Sequence, residues 1–492
     1  MSQDLLRHEK LFIGGEWVAP TDGEVVASIN PSTGKEWATA AYGGAGDTDR
    51  AVAAANEAFR GAWRKMTGTD RSNILRKLGD LYAANVDRLA QLESSDNGMP
   101  IRDSRAGIAG HPQYYYYYSG LAANIRGANI QLDPAIHAYT TREPVGVVGM
   151  ITPWNAPLQT VMWKMAPALA AGCTMVIKPA EQTPVTAFEL AKLAEQAGVP
   201  KGVINVVPGL GAIAGKHLVA HKGVNKISFT GEHRTAMEIM KGAAMNLKRL
   251  SFETGGKSPH IIFDDADLDQ AINAATHNAF ALCGQSCALG SRLLVHESVY
   301  DKVVNEIARR SQAVRIGNAL DPSTQMGPQA HDEQLQKTLR YLDIGRNEGA
   351  RLVTGGERIS SMVDGYFVKP TVFADVTNQM RIAREEIFGP VVGIIKFKTE
   401  EEAVAIANDT EYGLVAGLWT QNVGRAHRVA AQIQAGMVWV NTYRYIRYNT
   451  PYGGFKVSGL NRENGAEGLE PYFETKSTII NLGGAYPDAY AI

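Results

Sequence analysis

From Val145 onward, short apolar runs alternate with helix-like segments, and few architectures accept that pattern. The runs VGVVGMIT, TMVIKP, GVINVVP, KISFT and HIIFDD are each of strand length. Strands separated by helices cannot close as hairpins, so they are expected to lie parallel in a doubly wound sheet. The pattern resumes with RLLVH, RLVTGG, VVGIIKF, AGLWT and GMVWVN. The expected fold class is therefore α/β, with two doubly wound parallel-sheet domains, the first from residues 1–121 and 145–255 and the second from 256–455. Residues 122–144 and 456–492 are expected to form a small bridging β-arm for subunit contact. A chain of 492 residues is long enough for about three domains.

The first third reads differently. Leu11–Ala27 has the pattern of a β-hairpin, with Gly14-Gly15 and Asp22-Gly23 as turns. Thr48–Lys65 is expected to be helical with Asp47 as its cap, and Arg71–Asn97 is a second helical region stopped by Gly98. Tyr114–Tyr118 are five consecutive tyrosines. On a helix five neighbours surround the axis, so most are packing residues and only one or two can face a pocket.

Composition excludes several classes of function. The net charge is −1 and the basic residues are dispersed, unlike a nucleic-acid footprint or a polybasic membrane patch. No apolar run is long enough to span a membrane. Cys173, Cys283 and Cys287 cannot build a disulfide framework, which points to a reducing compartment. With no signal-peptide pattern at the N-terminus, the expectation is a cytoplasmic protein.

Ligands of such sheets bind outside the carboxyl ends of the strands. Here those ends read Thr152-Pro153-Trp154-Asn155, Lys178-Pro179-Ala180-Glu181, Gly209-Leu210-Gly211 and Thr230-Gly231. Lys178 and Glu181 can grip ribose hydroxyls, and helix N-termini after Gly211 and Gly231 can offer N–H groups to a pyrophosphate. No GxGxxG motif is present, so any dinucleotide site is an unusual one. Separately, Cys287 offers a thiol in FALCGQSCALGSR, with small Gly284 and Ser286 leaving room for a substrate. A thiol attacks only as thiolate, so its surroundings must stabilise the anion. Taken alone, such a thiol is more often a small buried hydrophobe. Cys283 and Cys287 have no further Cys or His pair nearby to complete a tetrahedron, so no metal is expected.

The blocks TPWNAPL, KPAEQTP, PGLG, FTG, FETGGKSP, GQSC with Arg292, EEIFGPV and PYGGFKVSGLNRENG are together specific, and nearly the whole chain resembles the aldehyde dehydrogenase superfamily of the hydrolytic type. The resemblance implies Cys287 as nucleophile, Glu253 as general base, Asn155 as oxyanion donor and Lys164 as a lysine near it. It implies NAD as cofactor, with NADP admissible, in a Rossmann-like domain. Cofactor contacts are implied at Ile151, Thr152, Pro153, Trp154, Lys178, Glu181, Gly211, Gly215, Phe229, Gly231, Glu232, Thr254, Gly255, Glu386 and Phe388. Trp163, Ser286, Arg444 and Tyr452 fall where the family binds substrate. The implied partners are a small aldehyde and further copies of the chain, as dimer or tetramer.

Three departures from the family pattern bear on the cofactor side. Thr254 stands where Leu is usual, Ala236 where Gly is common, and Glu232 where Ser is usual, near the expected pyrophosphate. Glu232 is expected to point away, or the cofactor to shift. Asn461 replaces a common Gly and reads as a turn variation. The leading function is NAD-dependent oxidation of an aldehyde to the acid. One alternative, from Arg444 and Arg447 among tyrosines, is a dehydrogenase for a carboxylate-bearing, muconic-type semialdehyde. The other is a non-catalytic nucleotide-binding or structural protein.

Overall fold

In a computed structural model that describes residues 5–21, 24–486 and 489–490, the chain forms two large sheets and two small ones. The first has eight strands in the order Gly459–Leu460, Arg249–Thr254, Lys226–Gly231, Val147–Ile151, Thr174–Lys178, Ile204–Val206, Leu11–Ile13 and Glu16–Val18. Its five central members pair in parallel, from Arg249–Thr254 to Ile204–Val206. Val147, Val148, Met150, Met175 and Val176 are all buried, as in a sheet covered on both faces by crossover helices such as Pro157–Ala171 and Val185–Ala197. Ile151 pairs with Lys178, and Thr230 with Glu253, so the chemistry-bearing strand ends share one edge.

The second sheet runs Arg351–Thr354, Thr371–Ala374, Val391–Phe397, Arg292–His296, Pro259–Ile262, Val415–Trp419 and Met437–Val440. All its pairings are parallel except Arg351–Thr354 against Thr371–Ala374. A separate apolar core, including Ile261, Leu294, Val392 and Leu418, packs around it.

HIIFDD, at 260–265 within the second expected domain, opens the second sheet. Local readings need correction in three places. Arg249–Thr254 and Thr371–Ala374 are strands that the apolar-run pattern did not mark. Only the first half of Leu11–Ala27 is a hairpin, turning at Gly14 and Gly15 with φ of 64° and 76°. Asp22-Gly23 lies outside the described residues, and Glu24–Asn30 pairs instead with Lys35–Tyr42. Finally, Asp47 is not the cap. The helix Ala45–Arg60 is capped by Gly44, and Asp47 accepts hydrogen bonds from Gly44 N and Thr21 N from inside the first turn.

Gly98, with φ of 80°, does end Val86–Asn97, and the tyrosine run lies on the helix Pro112–Ala122. Tyr114, Tyr115 and Tyr118 are buried. Phe473–Asn481, Ile136–Pro144 and Asn129–Asp133 form a three-stranded antiparallel sheet. Among the described residues no helix is long and apolar enough to cross a membrane.

Candidate active site

A cleft of about 380 Å³ is walled by the strand ends of the first sheet and by loops of the second. Sequence-predicted residues that line it include Pro153, Trp154, Asn155, Trp163, Gly231, Glu232, Glu253, Thr254 and Gly255. Ser286, Cys287, Glu386, Phe388, Arg444 and Tyr452 complete that group. Residues hundreds of positions apart thus meet at one place.

At the base sits Cys287, its Sγ 3.2 Å from the hydroxyl of the fully buried Tyr452. Burial pushes the thiol well above its ordinary range, the carboxylate of Glu253 pushes it further, and the Tyr452 hydroxyl pulls it down. Glu253 is 1% exposed and its Oε1 has no hydrogen-bond partner. Burial raises its carboxyl to about 7, against the pull of the Cys287 thiol beside it. A carboxyl held there gains its base form near neutral pH, which is what a general base needs.

Asn155 follows the strand Val147–Ile151. Its Nδ2 donates to the Gln285 carbonyl at 2.9 Å, and Asn97 Nδ2 donates to the Asn155 backbone carbonyl at 3.0 Å. An amide nitrogen has two protons, so one donor remains after the Gln285 bond. Lys164 does not line the cleft. It is fully buried and its Nζ lies 2.6 Å from Glu463 Oε1. From there its charge reaches Glu253 only through space, where it favours the ionised form.

The other end of the cleft has the polar groups a nucleotide requires. Glu386 is half-buried, its Oε1 held by Gly256 N at 2.9 Å, and desolvation lifts its carboxyl to about 7. Trp154 stands edge-on to Phe388 and His331. Thr230 has a buried hydroxyl with no partner on the cleft wall, an orphan that a bound group can satisfy. Beyond the cleft proper, Lys178 Nζ lies 3.5 Å from Glu181, whose carboxylate also accepts from Gly211 N at the start of Gly211–Gly215. Burial lowers the Lys178 pKa. Ile151, Thr152, Gly215 and the buried Phe229 stand behind the cleft wall rather than on it. Glu232 is at the rim, its side chain 54% exposed and 3.9 Å from Arg234. Thr254 turns its hydroxyl to the Val457 carbonyl at 2.5 Å.

The comparisons with known proteins are decisive. The Aldehyde dehydrogenase family model matches residues 17–478. The chain belongs to the aldehyde dehydrogenase family. It is 47% identical to an aldehyde dehydrogenase of Enchytraeus buchholzi over 475 residues, covering 96% of this chain and 95% of that one. Among solved structures, the NAD+ complex of aldehyde dehydrogenase from Bacillus cereus superposes with a TM-score of 0.95 at 43% identity, covering 97% of each chain. Betaine aldehyde dehydrogenase from Staphylococcus aureus in complex with NAD+ gives 0.97 at 38% identity, covering 98% of this chain and 97% of that one. This aldehyde dehydrogenase is an oxidoreductase that acts on aldehydes.

Sequence reasoning missed several lining residues: Gln159, Leu282, His331, Gln334, Lys337 and Ile446. Gln334 and Lys337 share a face of the helix Asp332–Asn347, and nothing in their spacing singles them out. None of Tyr114–Tyr118 lines the cleft; Tyr114 packs behind Trp163 at 6.4 Å. Asn461 takes φ of 68°, a left-handed turn that asparagine tolerates. Among the described residues one group, Asp49, His217 and His221, has the spacing of metal ligands. His221 Nδ1 accepts from Gly223 N at 2.9 Å, so its Nε2 carries the proton toward Asp49. That tautomer opposes ligation through Nε2.

Proposed function

We propose that this chain oxidises an aldehyde to the carboxylic acid with NAD, through a thioester on Cys287 that Glu253 opens with water. The supporting observation is the pairing on one cleft of the Cys287 thiol with a buried carboxyl, one oxygen of which has no partner, raised to about 7. Thr230, Lys178, Glu181, Glu386 and Phe388 would hold the cofactor, since an orphaned hydroxyl and carboxylates suit its hydroxyls and amide.

Cys287 thiolate forms the S–C bond to the aldehyde carbon. The resulting oxyanion accepts hydrogen bonds from the remaining Asn155 Nδ2–H and the Cys287 backbone N–H; one such donor is worth about 3–4 kcal/mol in comparable sites. NAD, when bound, supplies the acceptor for the hydride, whose loss leaves a thioester on Cys287. Glu253 takes a proton from water as its oxygen attacks the acyl carbon, the C–S bond breaks, and the thiolate is regenerated. Cys287→Ala should abolish turnover while leaving cofactor affinity largely intact. Near-normal turnover in that variant would sink the assignment.

Cofactor choice favours NAD over NADP, because the Glu181 carboxylate at the ribose end repels a 2′-phosphate. A second reading concerns the substrate. Arg444 lines the cleft half-buried, with φ of 57°, and its side chain has no hydrogen bond or ion pair among the described residues. An unpaired guanidinium there suits an aldehyde that also bears a carboxylate. Arg447 takes no part, since it is exposed and lies 4.2 Å over the Tyr445 ring. Matched aldehydes with and without a distal carboxylate, in wild type and Arg444→Ala, test this. Preference for the neutral aldehyde in wild type, unchanged by the mutation, would refute it.

The domain division expected from sequence, a homo-oligomer built through the antiparallel arm, and a cytoplasmic location complete the reading. The arm leaves Ile479 and Ile480 exposed on an edge strand, with Leu482 exposed just past it, which suits a second copy. Three free cysteines suit a reducing compartment.

A further inference from the structure

We propose that Gln329 and Thr338, linked to Gln334, form a positioning network that registers the turn before Cys287 against the loop of Glu386 and Phe388. The inference rests on Cys287 as nucleophile. Leu282, Cys283 and Gly284 have φ of 54°, 54° and 71° in succession, and Phe388 has 61°. Residues with side chains visit this region singly, so a run of this kind persists only where its surroundings hold it. Gly284 has no alternative, because a Cβ there would run into the Gly389 carbonyl. The two strained segments therefore touch each other back to back.

Their carbonyls are held by side-chain amides. Gln329 Nε2 donates to Cys283 O at 2.9 Å. Gln334 Nε2 donates to Phe388 O and Ile387 O, each at 3.0 Å. Thr338 joins them: its hydroxyl donates to Gln329 Oε1 at 2.6 Å and lies 3.2 Å from Gln334 Nε2, whose two protons are shared among the three acceptors. Gln329 and Thr338 are fully buried and Gln334 is 5% exposed, so water cannot replace these bonds. Gln285 reinforces the turn, donating to Leu282 O at 3.1 Å and accepting from Ala330 N at 2.8 Å. Neither Gln329 nor Thr338 lines the cleft, so both act through the backbone they fix.

The test uses the full-length enzyme and the rate of the pre-steady-state NADH burst. Gln329→Met keeps the shape and removes the donor; its burst is expected to slow at least about tenfold, with NAD affinity within roughly threefold of wild type. Gln329→Glu can donate to Cys283 O only as the neutral acid, and buried carboxyls titrate high. Its burst rate relative to wild type is expected to fall about tenfold between roughly pH 6 and pH 9. A Gln329→Met burst within about twofold of wild type overturns the proposal. So does a Gln329→Glu ratio that does not change with pH, and that profile decides alone if Gln329→Met does not fold. Failure of the proposed chemistry is distinguishable, since wild type itself would then show no burst.

Discussion

Tyr452→Phe should make Cys287 a poorer nucleophile in a calculable way. The Tyr452 hydroxyl lies 3.2 Å from Sγ and is fully buried, whereas burial and Glu253 both oppose the thiolate. A hydrogen bond to an ionised group is worth about 1.5–3 kcal/mol. At about 1.36 kcal/mol per pKa unit, its loss should raise the thiol pKa by about one to two pH units. At a fixed pH below that pKa the thiolate fraction then falls roughly 10- to 100-fold. The phenyl ring remains to fill the space and to pack on Trp163, whose centroid is 5.1 Å away. The assay is the rate of inactivation by iodoacetamide across pH, with Tyr445→Phe, an exposed position, as control. A midpoint that is unchanged or lower in Tyr452→Phe would refute the claim that this hydroxyl stabilises the anion.

Other outcomes follow from the same geometry. Glu253→Gln should keep the NADH burst and lose steady-state turnover; equal loss of both would give Glu253 an earlier role. In wild type the deacylation rate should rise as pH passes through about 7, where the Glu253 carboxyl ionises, and that limb should vanish in Glu253→Gln. Burial raises the Glu93 carboxyl to about 8 and that of Asp96 to about 7, so the folded state holds protons the unfolded state releases. Stability should therefore be undiminished below the unfolded carboxyl pKa and fall as pH rises toward about 8, less steeply in Glu93→Gln by urea midpoint. Glu181→Ser should narrow the preference for NAD over NADP in kcat/KM; an unchanged ratio would remove Glu181 from the ribose.

What the sequence made legible follows from how each feature is encoded. The runs ending in Asn155, Lys178 and Thr230 are apolar because both sheet faces are covered, so they stand out. Arg249–Thr254 is equally a strand, but its exposed Arg249 and the carboxylate of Glu253 break the run. Asp47 looked like a cap because Gly44 has no side chain to show its role. The contact of Tyr452 with Cys287 spans 165 positions and no local pattern predicts it. Gln329 and Thr338 read as ordinary polar residues, since only the folded chain puts them beside a left-handed turn.

The central claim is that an acyl group passes through Cys287. Glu253→Gln enzyme mixed with an aldehyde and NAD, quenched after the burst and digested, should show the acyl mass on the peptide containing Cys287, at about one equivalent per NADH formed. NADH formation with no adduct at Cys287, or with the adduct on another residue, would contradict it.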